Sequence, residues 1–104
     1  MLRIYETSLE VIRRLRPCVE AIARCDADLA RQLRRAMASV TLNIAEGSYA
    51  RGRNRQALYQ VALGSAKETG ACLEVALAFG YIDCIDEQAL ADLDSICAVL
   101  YSVT

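Results

Sequence analysis

Apolar residues recur at spacings of three and four along nearly the whole of this 104-residue chain, and only one proline interrupts them. No segment shows the period of two that a half-buried strand requires, so the pattern confines the chain to helices packed on helices. The apolar share is 55% and the aromatic share only 6%. Much of the apolar fraction is alanine, a strong helix former with little bulk, which suits closely approaching helices. At this length the chain is one domain, residues 1–104. So generous an apolar share in so short a chain also leaves surface to bury between subunits.

Punctuation divides the pattern into four helices. Leu2, Tyr5, Leu9, Ile12, Leu15, Val19 and Ile22 mark a first helix over 2–24, which Pro17 should kink or split. Asp26 or Asp28 caps a second, with the stripe Leu29, Leu33, Ala36/Met37, Val40 and Ile44, fraying near Gly47 to Ala50. After a turn at Arg51-Gly52-Arg53-Asn54, Asn54 caps a third helix that ends at Phe79 before Gly80. Asp83 or Asp86 opens the fourth, with Leu90, Leu93, Ile96/Cys97, Leu100 and Val103 facing inward. Short connections between long helices favour antiparallel neighbours, so the expected fold is an all-α, antiparallel, up-down-up-down four-helix bundle.

The third helix carries two apolar stripes. One is Leu58, Val61/Ala62, Ser65, Thr69, Cys72, Val75/Ala76 and Phe79; the other is Tyr59, Leu63, Ala66, Gly70, Leu73 and Leu77. A helix apolar on two faces needs two partners. The first stripe is assigned to the bundle core, and the second to an oligomer interface.

Polar groups inside packing helices need partners. Ser39, Asn43 and Glu46 share one face of the second helix, and Ser65 and Glu68 share a face of the third. If those faces meet, Arg34, Arg35, Ser39, Asn43, Glu46, Ser65 and Glu68 form a structural network that fixes helix register, with Glu46 or Glu68 buried against Arg34 or Arg35. The alternative is that Arg34 or Arg35 reaches the surface and contacts phosphate.

Charge is unevenly distributed along the chain. Residues 1–55 hold eleven arginines against six carboxylates, a balance of +5, whereas residues 56–104 hold Lys67 against seven carboxylates, a balance of −6. Such a dipole suits nucleic-acid binding at one end or head-to-tail pairing with a second copy. Arg51, Arg53 and Arg55 alternate through the turn, and Arg13, Arg14 and Arg16 cluster on the first helix; these six are the candidate nucleic-acid contacts. With only Tyr49 nearby, backbone-directed, salt-sensitive binding fits better than base-specific stacking.

Several chemistries lack their residues. The chain has no histidine, no phosphate-loop string and no CxxC pair among Cys18, Cys25, Cys72, Cys84 and Cys97, so no metal site or cofactor is expected. The thiols read as reduced and mostly buried. A Glu46–Glu68 acid/base pair is the one hydrolytic arrangement available, and salt-bridging to the neighbouring arginines is the preferred reading. With no signal-peptide pattern and no apolar run of membrane-spanning length, the cytoplasm is the expected location.

The string from Gln32 to Tyr81 contains Arg34, Arg35, Ala36, Ser39, Asn43, Ala45, Glu46, Gly47, Gly64, Ser65, Glu68, Leu73, Gly80 and Tyr81, joining an NIAEG to a GSxxE motif. In these residues the chain resembles the bacterial four-helix-bundle family named from intervening sequences within large-subunit ribosomal RNA genes. The same family includes the accessory variability protein of diversity-generating retroelements. The resemblance implies a ring-like homopentamer with a central pore. In the retroelement branch it also implies a basic surface for RNA or DNA and a reverse transcriptase partner. The expected function is thus non-enzymatic binding of nucleic acid, RNA foremost, through the arginine-rich surface. The rival is a structural or adaptor oligomer that binds another protein.

Overall fold

The computed structural model describes residues 3–104, which form four α-helices with no strand among the described residues: α1 (Ile4–Cys25), α2 (Ala27–Tyr49), α3 (Gly52–Phe79) and α4 (Glu87–Ser102). Leu2, expected at the start of the first stripe, lies outside the described residues. The long dimension of the molecule is 42 Å, about the length of the 28-residue α3 at ~1.5 Å per residue. α3 therefore sets the length of the molecule. It packs against α2 and α4, α1 packs against the same two helices, and the α2–α3 contact is the most extensive.

Local signals placed three of the helix ends. The Asp26 carboxylate accepts from the Leu29 N–H at 3.0 Å and opens α2. Asp86 does the same for α4 through the Ala89 N–H at 2.9 Å. α3 ends on Gly80 at φ 76°, where the Tyr81 N–H reaches Ala76 O at 2.9 Å and the Gly80 N–H reaches Leu77 O at 3.0 Å. These paired bonds satisfy two of the terminal carbonyls, and the left-handed backbone favours glycine.

The start of α3 differs from expectation. Asn54 does not cap it, because the helix begins two residues earlier, at Gly52. Only Ala50 and the extended Arg51 lie outside helices, and Gly52 takes φ 56°, which allows so short a reversal. Pro17 also does not split α1, which is one helix from Ile4 to Cys25. Pro17 is exposed, as is Arg13, whose carbonyl loses its helical N–H donor, and buried Leu15 and Val19 anchor the helix on either side of Pro17.

The core is built from Val11, Leu15, Val19 and Ile22 of α1, Leu33, Val40 and Ile44 of α2, Tyr59, Ala66 and Leu73 of α3, and Leu93, Ile96 and Leu100 of α4. Leu15, Val19 and Ile22 of α1 and Leu93, Ile96 and Leu100 of α4 are buried as expected, and the phase differs only toward the start of each stripe, with Val103 exposed at the end of the fourth. Ile4 and Ser8 are buried where Tyr5 and Leu9 were expected, and Ala89 is buried where Leu90 was.

The larger correction concerns α3. Tyr59, Ala66 and Leu73 are buried inside the chain, Leu63 and Gly70 are half-buried, and only Leu77 of the supposed subunit-facing stripe is exposed. The physical reason is that α3 lies between α2 and α4, so both of its expected apolar faces have partners in the same chain. Val61, Val75 and Phe79, expected at core positions, are exposed and form a third face with Ala57, Gly64 and Ala71, spaced by three, four or seven, while exposed Leu77 and Ala78 lie off it.

Gly47 of α2 faces the Tyr59 ring of α3 at close range. A Cβ added there would collide with the buried Tyr59 ring, lying 2.7 Å from its Cδ1. Gly47→Ala should therefore lower the unfolding free energy by about 1–3 kcal/mol, measured by urea denaturation. An unchanged midpoint would show that the Tyr59 ring moves aside freely.

Candidate nucleic-acid interface

The polar face shared by α2 and α3 is closed by neutral groups. Ser39 Oγ and Ser65 Oγ share a hydrogen bond of 2.7 Å. Asn43 Nδ2 donates to Ser39 O at 2.8 Å and to Ser39 Oγ at 3.1 Å, and Thr69 Oγ1 donates to Ser65 O at 2.9 Å. A second polar link joins α2 to α1, where Thr41 Oγ1 donates to Ser8 Oγ at 2.9 Å and Ser8 Oγ donates to Tyr5 O at 2.7 Å. Among the described residues no buried side-chain polar atom lacks a partner. The structure thus brings Ser39, Asn43 and Ser65 together as expected, with Thr69 beside them and Thr41 and Ser8 bonded across α1 and α2. Thr69 had been read as part of an apolar stripe.

The charged half of the expected network does not form. Arg34, Arg35, Glu46 and Glu68 are all exposed, and no ion pair among the described residues includes any of them. Glu68 instead accepts from Gln32 Nε2 at 3.4 Å. Arg35 and Glu68 line one open cleft with Asp28, Arg31 and Gln32. Because the seam is satisfied by hydroxyls and one amide, it has no need of buried charge, whose desolvation is costly.

The six arginines proposed as nucleic-acid contacts separate into engaged and free groups. Arg13 pairs with Glu10 at 3.1 Å, and Arg14 lies 3.6 Å from both Glu10 and Asp86. Arg55 is turned inward on the chain: its Nε donates to Gly47 O at 3.0 Å and its Nη2 to Ser48 O at 3.1 Å. It thereby satisfies terminal carbonyls of α2, where positive charge also favours the helix dipole. Arg16, Arg51 and Arg53 are exposed and have no ion pair among the described residues. Arg16 lies with Arg34 in a cleft between α1 and α2 whose other walls are Ile12, Val19, Glu20 and Met37. Arg34, assigned from sequence to the α2–α3 network, thus sits on the other side of its helix.

The thiols form no metal cluster among the described residues. Cys72 is buried, and burial pushes its thiol above the ordinary value, with Glu68 adding to the shift. Against the expectation of mostly buried thiols, Cys25 at the end of α1 and Cys84 in the α3–α4 loop are exposed, and Cys18 and Cys97 are only half-buried. No described helix is long and apolar enough to cross a membrane.

An all-helical protein of four packed helices, with a neutral internal clasp and free arginines on its outer faces, is the class these features define. The chain belongs to the 23S rRNA-intervening sequence protein family, whose model matches residues 1–102. A crystal structure of a protein of unknown function from the S23 ribosomal protein family of Bacteroides thetaiotaomicron VPI-5482 shares the fold. It has a TM-score of 0.78 and 25% sequence identity, over 96% of this chain and 96% of that one. No curated protein sequence gives a significant match.

The clasp and the arginines can be tested separately. Ser39→Ala should cost about 1 kcal/mol, the net worth of a typical hydrogen bond. Glu68→Ala should change stability by no more than about 0.5 kcal/mol, as an exposed position does. Comparable large losses in chemical denaturation would restore the buried charge network. In the native protein a chromogenic disulfide reagent should modify Cys25 and Cys84 first and Cys72 only on unfolding. Rapid modification of Cys72 would contradict its burial.

Proposed function

We propose that this protein is a non-enzymatic RNA-binding assembly that grips the phosphate backbone through arginines of α1, α2, the α2–α3 turn and the first turn of α3. The observation that carries this reading is the state of Arg16, Arg34, Arg35, Arg51 and Arg53: all exposed, none in an ion pair among the described residues. Guanidinium groups held without carboxylate partners are available for bidentate contact with phosphate. The family's link with ribosomal RNA intervening sequences agrees with RNA as the ligand. Arg13, Arg14 and Arg55 leave the contact set, since each already has a partner within the chain.

Within this reading the helices run up-down-up-down, and the protomers close into a ring-like homopentamer. Pairs across the seam support the antiparallel course, because partners fall along α3 as residues rise along α2: Gln32 with Glu68, Ser39 with Ser65, Gly47 with Tyr59. The third face of α3 supports self-association, with Leu42 and Tyr49 of α2 adding further exposed apolar surface. Gly64 lies on that face with nothing within 4 Å of an added Cβ. A glycine inside a helix is unfavourable by roughly 1 kcal/mol relative to alanine, so its place there suits close approach of another protomer. In a retroelement setting, a reverse transcriptase is the enzyme such an assembly would accompany.

The same apolar face favours the second reading, an adaptor oligomer that binds only protein. Filter binding at low salt separates the two. The wild type should retain RNA with little sequence preference, and affinity should fall steeply with salt as counterions are released. Arg51→Gln with Arg53→Gln should weaken retention and flatten the salt slope by about 0.7 for each lost phosphate contact on single strands, with helicity unchanged. No retention by the wild type would favour the adaptor. Light scattering should give a mass several times 11.4 kDa, and Val61→Glu on the third face should reduce it; a monomeric wild type would end the assembly reading.

A further inference from the structure

We propose that the cleft between α1 and α2 receives one unpaired nucleotide of single-stranded RNA, with its phosphate held by Arg16 and Arg34 and its base resting on Ile12 above a floor of Val19 and Met37. The inference deepens the RNA-binding reading and rests on it. The two arginines come from different helices yet line one cavity of about 230 Å³. Val19 and Met37 are almost fully buried and Ile12 is half-buried, so the floor is apolar and fixed by the core. Arg16 and Arg34 rise from that floor and are exposed.

Each feature narrows the occupant. Two free guanidinium groups select an anion, and their planar faces also stack on bases. The apolar floor is of no use to free phosphate or to the backbone of a duplex, whose bases are already stacked on one another. An unpaired base has a face to bury, and sequence-tolerant recognition of single strands relies on such contacts. The cavity falls below the ~300–1,000 Å³ that encloses a drug-sized ligand, so it admits one base-sized group. Glu20, also in the lining, opposes an inorganic anion but can accept from a ribose 2′-OH or an exocyclic amine. A site built only to hold an anion would lack that acceptor. The cleft is separate from Arg51 and Arg53, which meet only backbone in this account.

The test compares a short single-stranded RNA oligonucleotide with its blunt-ended duplex by fluorescence anisotropy at fixed low salt. The wild type should bind the single strand about tenfold more tightly, a difference of ~1.4 kcal/mol. Arg16→Gln with Arg34→Gln should abolish this preference while leaving salt-sensitive duplex binding through Arg51 and Arg53. Arg16→Lys with Arg34→Lys, which keeps charge but loses the planar fork, should also lose most of the preference. All four substitutions are at exposed positions, and circular dichroism confirms the fold. Equal binding of both RNAs by the wild type, or a preference that survives the glutamine pair, overturns the cleft assignment while leaving backbone binding standing. Failure of the wild type to bind either RNA overturns both.

Discussion

The close approach of α2 to α3 is the constraint on which the rest of the structure depends. Gly47 lets the Tyr59 ring lie against the α2 backbone, and Ala36, Ala62 and Ala66 are buried as small residues of the two helices. Ser39 and Ser65 then come within 2.7 Å, and Asn43 closes on Ser39. Short hydroxyl side chains can bond only across helices that are close together, so small residues and neutral polar clasp form one device. With the seam satisfied in this way, Arg34, Arg35, Glu46 and Glu68 remain at the surface. The charges therefore contribute little to holding the fold and lie exposed at the surface.

The helices and most of their ends were legible in the sequence because their causes are local. Asp26, Asp86 and Gly80 act on backbone within four residues, and the structure finds each in its expected role. Long-range choices were less legible. α3 has apolar residues on three faces, and periodicity cannot say which two are covered by the same chain. Phe79 and Val61 were read as core and are exposed, while Tyr59 and Leu73 were read as interface and are buried.

The Arg–Glu network failed for a related reason. Spacing puts Glu46 and Ser39 on neighbouring positions of one helix face, but the depth of each depends on how closely the partner helix sits. Arg55 was missed as a structural residue because its target, the carbonyls of Gly47 and Ser48, follows from the two-residue turn. A signal was present: an arginine a few residues beyond a helix C-terminus can reach back to that helix's last carbonyls. The pairing of Arg16 with Arg34 required knowing that α1 and α2 lie side by side. The charge split, by contrast, was readable from counting alone, and the structure resolves it into arginines that are paired and arginines that are free.

Chemical-shift mapping tests the central claim most directly, because it reads the location of RNA on the protein without presupposing any variant. On titration with single-stranded RNA, amide and arginine Nε–H resonances of Arg16, Arg34, Arg51 and Arg53 should shift, and α4 from Glu87 to Ser102 should stay unperturbed. Shifts concentrated on α4, or none at RNA concentrations that saturate filter binding, would contradict the account.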